Sequence, residues 1–304
     1  MPEPRASADE AARAVVATTE TYYDSDEADR FYHQVWGGED IHIGLYASDH
    51  AVSGGAHRGG ANPRGVSIRD ASAATVTRMA DRAAPGLEMH PRILDLGAGY
   101  GGSARALVAR FDAHVTCLNL STTQNRRNQS MNREAGLSDR VEVVHGNFES
   151  LPFEAASFDL VWSQDALLHS SRREQVLHEA RRVLRPGGQM LFTDPMQADD
   201  CPDGVLGPVL DRIHLSSLAS PRFYRESAAR VGFKFLAMDD LSLMLPRHYE
   251  VVRAELRRRY DEMVAVCGAP YVDRMLVGLG HWIDAGRAGY LTWGILHLRT
   301  KRER

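Results

Sequence analysis

Residues Arg92 to Gly102 read RILDLGAGYGG: an apolar run closes on Asp95, and glycines follow at 97, 99, 101 and 102, ahead of a helix-like stretch from Ser103 to Arg110. A strand that turns sharply into a helix at its carboxyl end needs positive φ and close backbone approach. Gly97, Gly99 and Gly101 permit both. The chemistry this suggests is binding, with the sugar of a nucleoside ligand lying against bare main chain. The spacing D-L-G-x-G-x-G departs from the dinucleotide fingerprint G-x-G-x-x-G, whose third glycine serves helix packing beneath a pyrophosphate. Glycine turns also make purely structural connections, so the elements around this one must decide.

Those elements follow a regular order. His114 to Leu120 is rich in β-formers, and Ser121 to Ala135 is a polar helix-like segment stopped by Gly136. Val141 to His145 and Phe158 to Trp162 are the next strand candidates, Arg172 to Leu184 has helical apolar spacing before the breaker RPGG, and Gln189 to Asp194 is a fifth strand. Strands alternating with helices at this interval predict right-handed crossovers and an α/β doubly wound, mostly parallel sheet with its ligand at the carboxyl ends. Beyond Asp194 the rhythm breaks. An inserted segment, 195–220, carries a short helix over Pro208 to Leu218, then helix-like Phe223 to Val231 and strand-like Phe233 to Met238. Pro246 to Val266 and Tyr271 to Ala285 read as helices within a segment 246–285, and Tyr290 to Arg299 as a closing strand. Residues 1–81 read as an appended helical cap and 82–304 as the sheet domain; the loop Ser53 to Arg64, SGGAHRGGANPR, has glycines that resist ordering without a partner.

Composition narrows the partners. At 304 residues and 43% hydrophobic the chain can bury one large core or a core with an appended lobe, and its net charge of -4 supplies no basic field for nucleic acid. The arginine pairs at 126–127 and the run 257–259 read as solvated helix faces. No stretch reaches the roughly 18 apolar residues of a membrane span, and the opening MPEPRASADEAARAVV lacks a signal peptide's pattern, so a cytoplasmic location is expected. Cys117, Cys201 and Cys267 are scattered and lack C-x-x-C pairs, so neither a disulfide nor a metal cluster is expected.

The glycine turn resembles motif I of class I S-adenosylmethionine methyltransferases, which are Rossmann-like. That resemblance implies S-adenosylmethionine as cofactor, with Asp95 and the backbone of Gly97, Ala98, Gly99 and Gly101 facing its methionine part. Where that class carries an acid for the two ribose hydroxyls this chain has Asn119, which can accept from one hydroxyl and donate to the other, with Leu120 and Gln124 beside it. Asn147 and Phe148 fall where adenine is read. SQDALLH puts Gln164 beside the cofactor and His169 near the transferring methyl. In the cap, TYYDSDEADRFYHQVWGGEDIHIGLY concentrates aromatics that could close over a sulfonium; Tyr23 and His42 then fall on the cofactor side and Tyr22 and Trp36 on the acceptor side.

Taken together, YYDSDEADRFYHQVWGGEDIHIGLY, LDLGAGYGG, CLNL, WSQDALLHS, FTDPM, LDRIHL and GHWIDAGRAGYLTWG resemble the sarcosine/dimethylglycine N-methyltransferases that make glycine betaine. The resemblance implies sarcosine or dimethylglycine as acceptor. Its ammonium must lose a proton before attack, which His169 or a water would take. Its carboxylate calls for an arginine fork, with Arg212 first and His214 and Arg225 behind it. The quaternary product suits a cage of Trp36, Tyr22 and Trp162, while Trp282 and Trp293 read as core. Two other readings stay open: a methyltransferase of the same fold acting on carbon or sulfur of a small carboxylic acid or specialised metabolite, and a non-catalytic S-adenosylmethionine-binding protein. A homodimer is compatible with all three.

Overall fold

The computed structural model describes residues 8–46 and 65–301; the loop expected over Ser53 to Arg64 lies outside them. In chain order the helices are α1 (Ala8–Asp24), α2 (Asp26–Val35), α3 (Ile68–Ala83), α4 (Gly102–Phe111), α5 (Thr122–Glu134), α6 (Arg173–Val183), α7 (Gly207–Asp211), α8 (Pro221–Arg230), α9 (Met244–Arg258), α10 (Tyr260–Cys267) and α11 (Ala269–Arg287). The strands are β1 (Arg92–Leu96), β2 (His114–Asn119), β3 (Val141–His145), β4 (Phe158–Gln164), β5 (Leu184–Gln197), β6 (Phe233–Asp240) and β7 (Leu291–Thr300).

They form a seven-stranded sheet in the order β3-β2-β1-β4-β5-β7-β6. The first five are parallel, and β7 runs antiparallel between β5 and β6. Parallel strands are covered on both faces, and so their sequences are continuous apolar runs. Alternate residues supply the two faces: Ile93, Leu160, Trp162 and Leu191 pack under α3 and α4, while Leu94, Leu96, Val161 and Phe192 pack under α6 and α8. A third core, beyond the carboxyl ends of the strands, joins α2, α7, α9, α10 and α11 through Phe31, Trp36, Val209, Tyr249, Met263 and Trp282.

Three expectations shift. RPGG follows the end of α6, as expected, but β5 begins at Leu184 instead of Gln189: Leu184 already pairs with Phe158 before the register slips, and the Gly187 amide donates to the Lys301 carbonyl at 3.1 Å, so the glycines sit in a bulged strand start. The helix expected over 246–266 breaks at Arg259, whose guanidinium turns aside to the Gln34 carbonyl and to Glu262. The insert's helix ends at Asp211 instead of Leu218, because Arg173 holds the following segment in another path, donating to the Ser217 carbonyl at 2.6 Å and to its hydroxyl at 3.2 Å. Among the described residues no helix is long and apolar enough to cross a membrane.

Candidate functional site

A cleft opens at the carboxyl ends of β1, β2 and β4, lined from the sheet side by Asp95, Gly97, Ala98, Gly99, Asn119, Leu120, Gln124, Phe148, Gln164 and His169, and from the cap by Tyr23 and His42. The glycines there do not all do the same thing. Gly97 and Gly101 have φ of +74° and +76°, and a Cβ would overlap the Ala166 methyl at the first and the Asn128 amide at the second. Their bareness serves the protein's own packing. At Gly99, φ +53°, an added Cβ would meet only Ile41 Cδ1 at 3.6 Å, so of the three it is Gly99 that fronts open space. Gly101 is absent from the lining, a correction to the expectation that it faces the ligand.

Several polar atoms in the cleft are buried without a partner. Gln164 Oε1 accepts from Ser103 Oγ at 2.5 Å and from Trp162 Nε1 at 2.9 Å, which orients the amide and leaves Nε2 as a free donor. Asp95 Oδ2 is likewise unpartnered, and burial, reinforced by Asp40, pushes this carboxyl up to about 7. Asn119 donates to Gln124 Oε1 at 3.0 Å, so its carbonyl oxygen is the atom left for another group. His42 lies 3.4 Å from Asp40; burial opposes its charge, but the bond to Asp40 and the charges of Asp40 and Asp165 outweigh that and raise it above the usual histidine value.

The cap is tied to the cleft's rim by its polar residues, Asp24 and Glu39 among them. Gly102 N donates to the Glu39 carbonyl at 3.2 Å, and Arg105 clamps the Glu39 carboxylate at 3.1 Å. Asp24, at the end of α1, accepts from Ser121 Oγ at 2.6 Å and from Thr123 N at 3.1 Å, at the amino terminus of α5. Burial works against ionisation of Asp24, yet the bonds from Ser121, Thr123 and Thr122 hold its carboxyl below the ordinary range. Arg127, expected in solvent, pairs with Asp29 at 2.5 Å and lies 5.5 Å from the Tyr100 ring centre. Asp24→Ala is therefore expected to lower stability by about 1–2 kcal/mol and to weaken cofactor affinity, read by chemical denaturation and calorimetric titration.

Toward the cap the cleft ends at a hydrogen bond of 2.9 Å between Tyr23 Oη and His169 Nε2. Burial, with Arg173 and Arg212 adding to it, pushes His169 down to about 3, and its Nδ1 is sealed without a partner. Burial thus disfavours the protonated imidazole in the unliganded cleft. Behind this pair stands Arg212. Its Nε and Nη1 are buried with no acceptor, and its Cζ lies 5.9, 5.4 and 5.7 Å from the ring centres of Trp36, Tyr249 and Trp282. Its other side, with Tyr22 and His214, lines an outer groove between α1, α7 and α11; the Tyr22 and His214 rings stand edge to face at 6.1 Å.

Other expected members lie elsewhere. Trp162 is fully buried in the sheet core and touches the cleft only through Gln164, because the inward face of β4 carries it under α4. Trp36 is 3% exposed and turns its ring to Arg212, so the cation it serves is the protein's own. Asn147 Oδ1 caps the Glu149 amide at 2.9 Å, a local turn, and the cleft is lined by Gly146 instead. Arg225 lies 4.7 Å from the Phe235 ring on exposed α8, away from the cleft. Trp282 and Trp293 are core, as expected, yet each also supports the site: Trp282 under Arg212, and Trp293 through Nε1 donating to Asp165 at 2.7 Å. Asp165, part of the SQDALLH run expected at the mouth of the sheet, is held at φ +50°, also accepts from Ile43 N at 2.7 Å, and lines the cleft.

A methyltransferase domain family matches residues 94–192. The sarcosine/dimethylglycine N-methyltransferase of Aphanothece halophytica is 48% identical over 94% of this chain and 97% of its own length. The dimethylglycine N-methyltransferase of Parasynechococcus marenigrum is 46% identical over 92% of this chain and 94% of its own. The crystal structure of a proposed sarcosine dimethylglycine methyltransferase from Galdieria sulphuraria superposes with a TM-score of 0.82 at 41% identity, covering 93% of this chain and all of that one. Such identity, sustained through the cap and the insert as well as the sheet, means that the chain belongs to the sarcosine/dimethylglycine N-methyltransferase family of S-adenosylmethionine-dependent methyltransferases.

Proposed function

We propose that this enzyme methylates the amine of sarcosine and dimethylglycine, with glycine betaine as the end product. The observation that carries the acceptor assignment is Arg212: a guanidinium with two sealed, unpartnered nitrogens, in a wall of aromatic rings, close to the cofactor cleft. Sealing two of a guanidinium's donors with no acceptor is costly unless a ligand supplies one, and a planar carboxylate suits the fork.

The cleft suits S-adenosylmethionine. The unpartnered Gln164 Nε2 and Asp95 Oδ2 match the ends of an amino acid group, Asn119 and Gln124 suit the ribose, and Phe148 beside Gly146 suits adenine. Tyr23 and His42 would close it from the cap. When bound, the cofactor supplies a methyl group on a cationic sulfur. The chain's own part is to hold the acceptor's lone pair in line with that methyl and to exclude water. Tyr23 and the neutral His169 orient the amine, and its proton leaves to solvent before the amine is committed.

This division of roles predicts a pH profile. The kcat/KM for dimethylglycine should rise toward alkaline pH with the amine's deprotonation; any inflection near pH 6–7 belongs to Asp95 and is kept in His169→Ala, which should lower kcat by about tenfold to a hundredfold without altering the profile's shape. An inflection in that range that disappears in the variant would return His169 to the role of base. The acceptor itself is tested by incubating the protein with S-adenosylmethionine and glycine, sarcosine, dimethylglycine or thioether acids, with products read by mass. Gain of methyl by sarcosine and dimethylglycine is the expected result, and gain by a thioether acid alone would overturn the proposal.

A further inference from the structure

Arg212 is not the only unsatisfied donor in its surroundings. His248 is fully buried, and its Nδ1 accepts from the Gly44 amide at 3.1 Å. An amide can only donate, so Nδ1 carries no proton and the neutral ring must carry it on Nε2; the Tyr46 hydroxyl, 3.1 Å away, shares the single Nδ1 lone pair with that amide. Burial, followed by the charges of His42 and Arg212, keeps this ring neutral by pushing it down to about 3. Its Nε2–H is buried with no acceptor, and so is the Nε1–H of Trp36, which is 3% exposed.

These groups share one neighbourhood. The Trp36 ring centre lies 5.3 Å from that of His248 and 5.9 Å from Arg212 Cζ, and the Tyr249 ring contacts all three, at 5.9, 5.9 and 5.4 Å for Trp36, His248 and Arg212. One unsatisfied buried donor costs about 1–3 kcal/mol, and buried polar groups are otherwise nearly always paired. Trp36 touches both His248 and Arg212, Tyr249 touches all three, and each of the three holds a sealed donor with no acceptor, an arrangement that calls for an anion.

We propose that His248 and Trp36 complete, with Arg212, a three-donor site for the acceptor's carboxylate, in which the His248 Nε2–H is a positioning group. The inference rests on the reading that the acceptor is an amino acid gripped by Arg212, and adds the residues that decide how its carboxylate is seated. Arg212 supplies the charge. The two neutral ring N–H groups fix the plane of the carboxylate and so the reach of the amine, and they select against acceptors that carry a hydroxyl in its place, since the donors would stay unpaired.

The test uses the full chain and acetate as a probe, in calorimetric titration and as an inhibitor against dimethylglycine. His248→Phe should raise the KM for dimethylglycine and the Kd of acetate by about tenfold to thirtyfold, with kcat changed less than threefold and S-adenosylmethionine affinity kept. His248→Gln, whose amide retains both a carbonyl and an N–H, should recover most of the loss. Should His248→Phe not fold, Trp36→Phe, which removes one N–H and keeps a ring, should weaken acetate by about threefold to tenfold. Equal acetate affinity in wild type and variants, with dimethylglycine still turned over, overturns the three-donor site while leaving the acceptor assignment standing. Acetate binding that depends on His248 in an enzyme inactive toward sarcosine and dimethylglycine keeps the site and overturns that assignment.

Discussion

Replacing Arg212 by Met should lower kcat/KM for the acceptor by about 10²- to 10³-fold, as expected when one partner of a buried charged contact is removed, while S-adenosylmethionine affinity stays within about twofold. The reason for the contrast is position: Arg212 stands beyond the Tyr23–His169 pair and is not part of the cofactor cleft's lining. A second signature separates this from damage to the fold. In the unliganded protein two of the guanidinium's nitrogens, Nε and Nη1, are sealed without an anion, against Trp36, Tyr249 and Trp282, so an apolar side chain of similar length should leave the melting temperature unchanged or raise it. Arg212→Lys should recover little activity, because a point charge lacks the planar fork. A variant that loses stability and activity together would show that Arg212 is structural.

Gly97→Ala is expected to have the largest effect on both folding and cofactor binding. Its φ of +74° costs an L side chain about 1–2 kcal/mol, and the new methyl would overlap that of Ala166, which follows β4 and shares the cleft wall. The loss of stability should total about 2–4 kcal/mol. Cofactor affinity should fall at least tenfold, since relief of the overlap must displace Gly97 or the segment carrying Gln164 and Asp165. Gly99→Ala is the informative contrast. There the added Cβ meets one flexible atom, Ile41 Cδ1 at 3.6 Å, so stability should drop by only about 1 kcal/mol and the larger effect should fall on ligand binding. Denaturant midpoints and calorimetric titration of the two variants would show whether the glycines divide their work in this way.

That division also marks how far local sequence reaches. The turn after β1, the helix behind it and the alternation that builds a parallel sheet were all legible, because each depends on φ preference and apolar period over a few residues. The cofactor residues at strand ends were legible for a related reason: once the order of strands is known, their carboxyl ends are known. Asn147 was misplaced by one residue because a side chain that caps its own loop and one that faces a ligand look alike in sequence. Trp162 was misplaced because the two faces of a strand buried on both sides carry similar residues.

By itself, then, the chain's order of residues determined the class of fold, the place of the cleft and a shortlist of arginines and aromatics, since these follow from short-range geometry and from motif spacing. The acceptor side was decided only in three dimensions. Trp36, Arg212, His248 and Trp282 are far apart along the chain and come from the cap, the insert and two late helices. What distinguishes Arg212 from Arg225, or His248 from a packed core histidine, is which nitrogen is left without a partner after the rest of the protein has closed around it. Burial and pairing are properties of the whole packed molecule, and no window of sequence contains them.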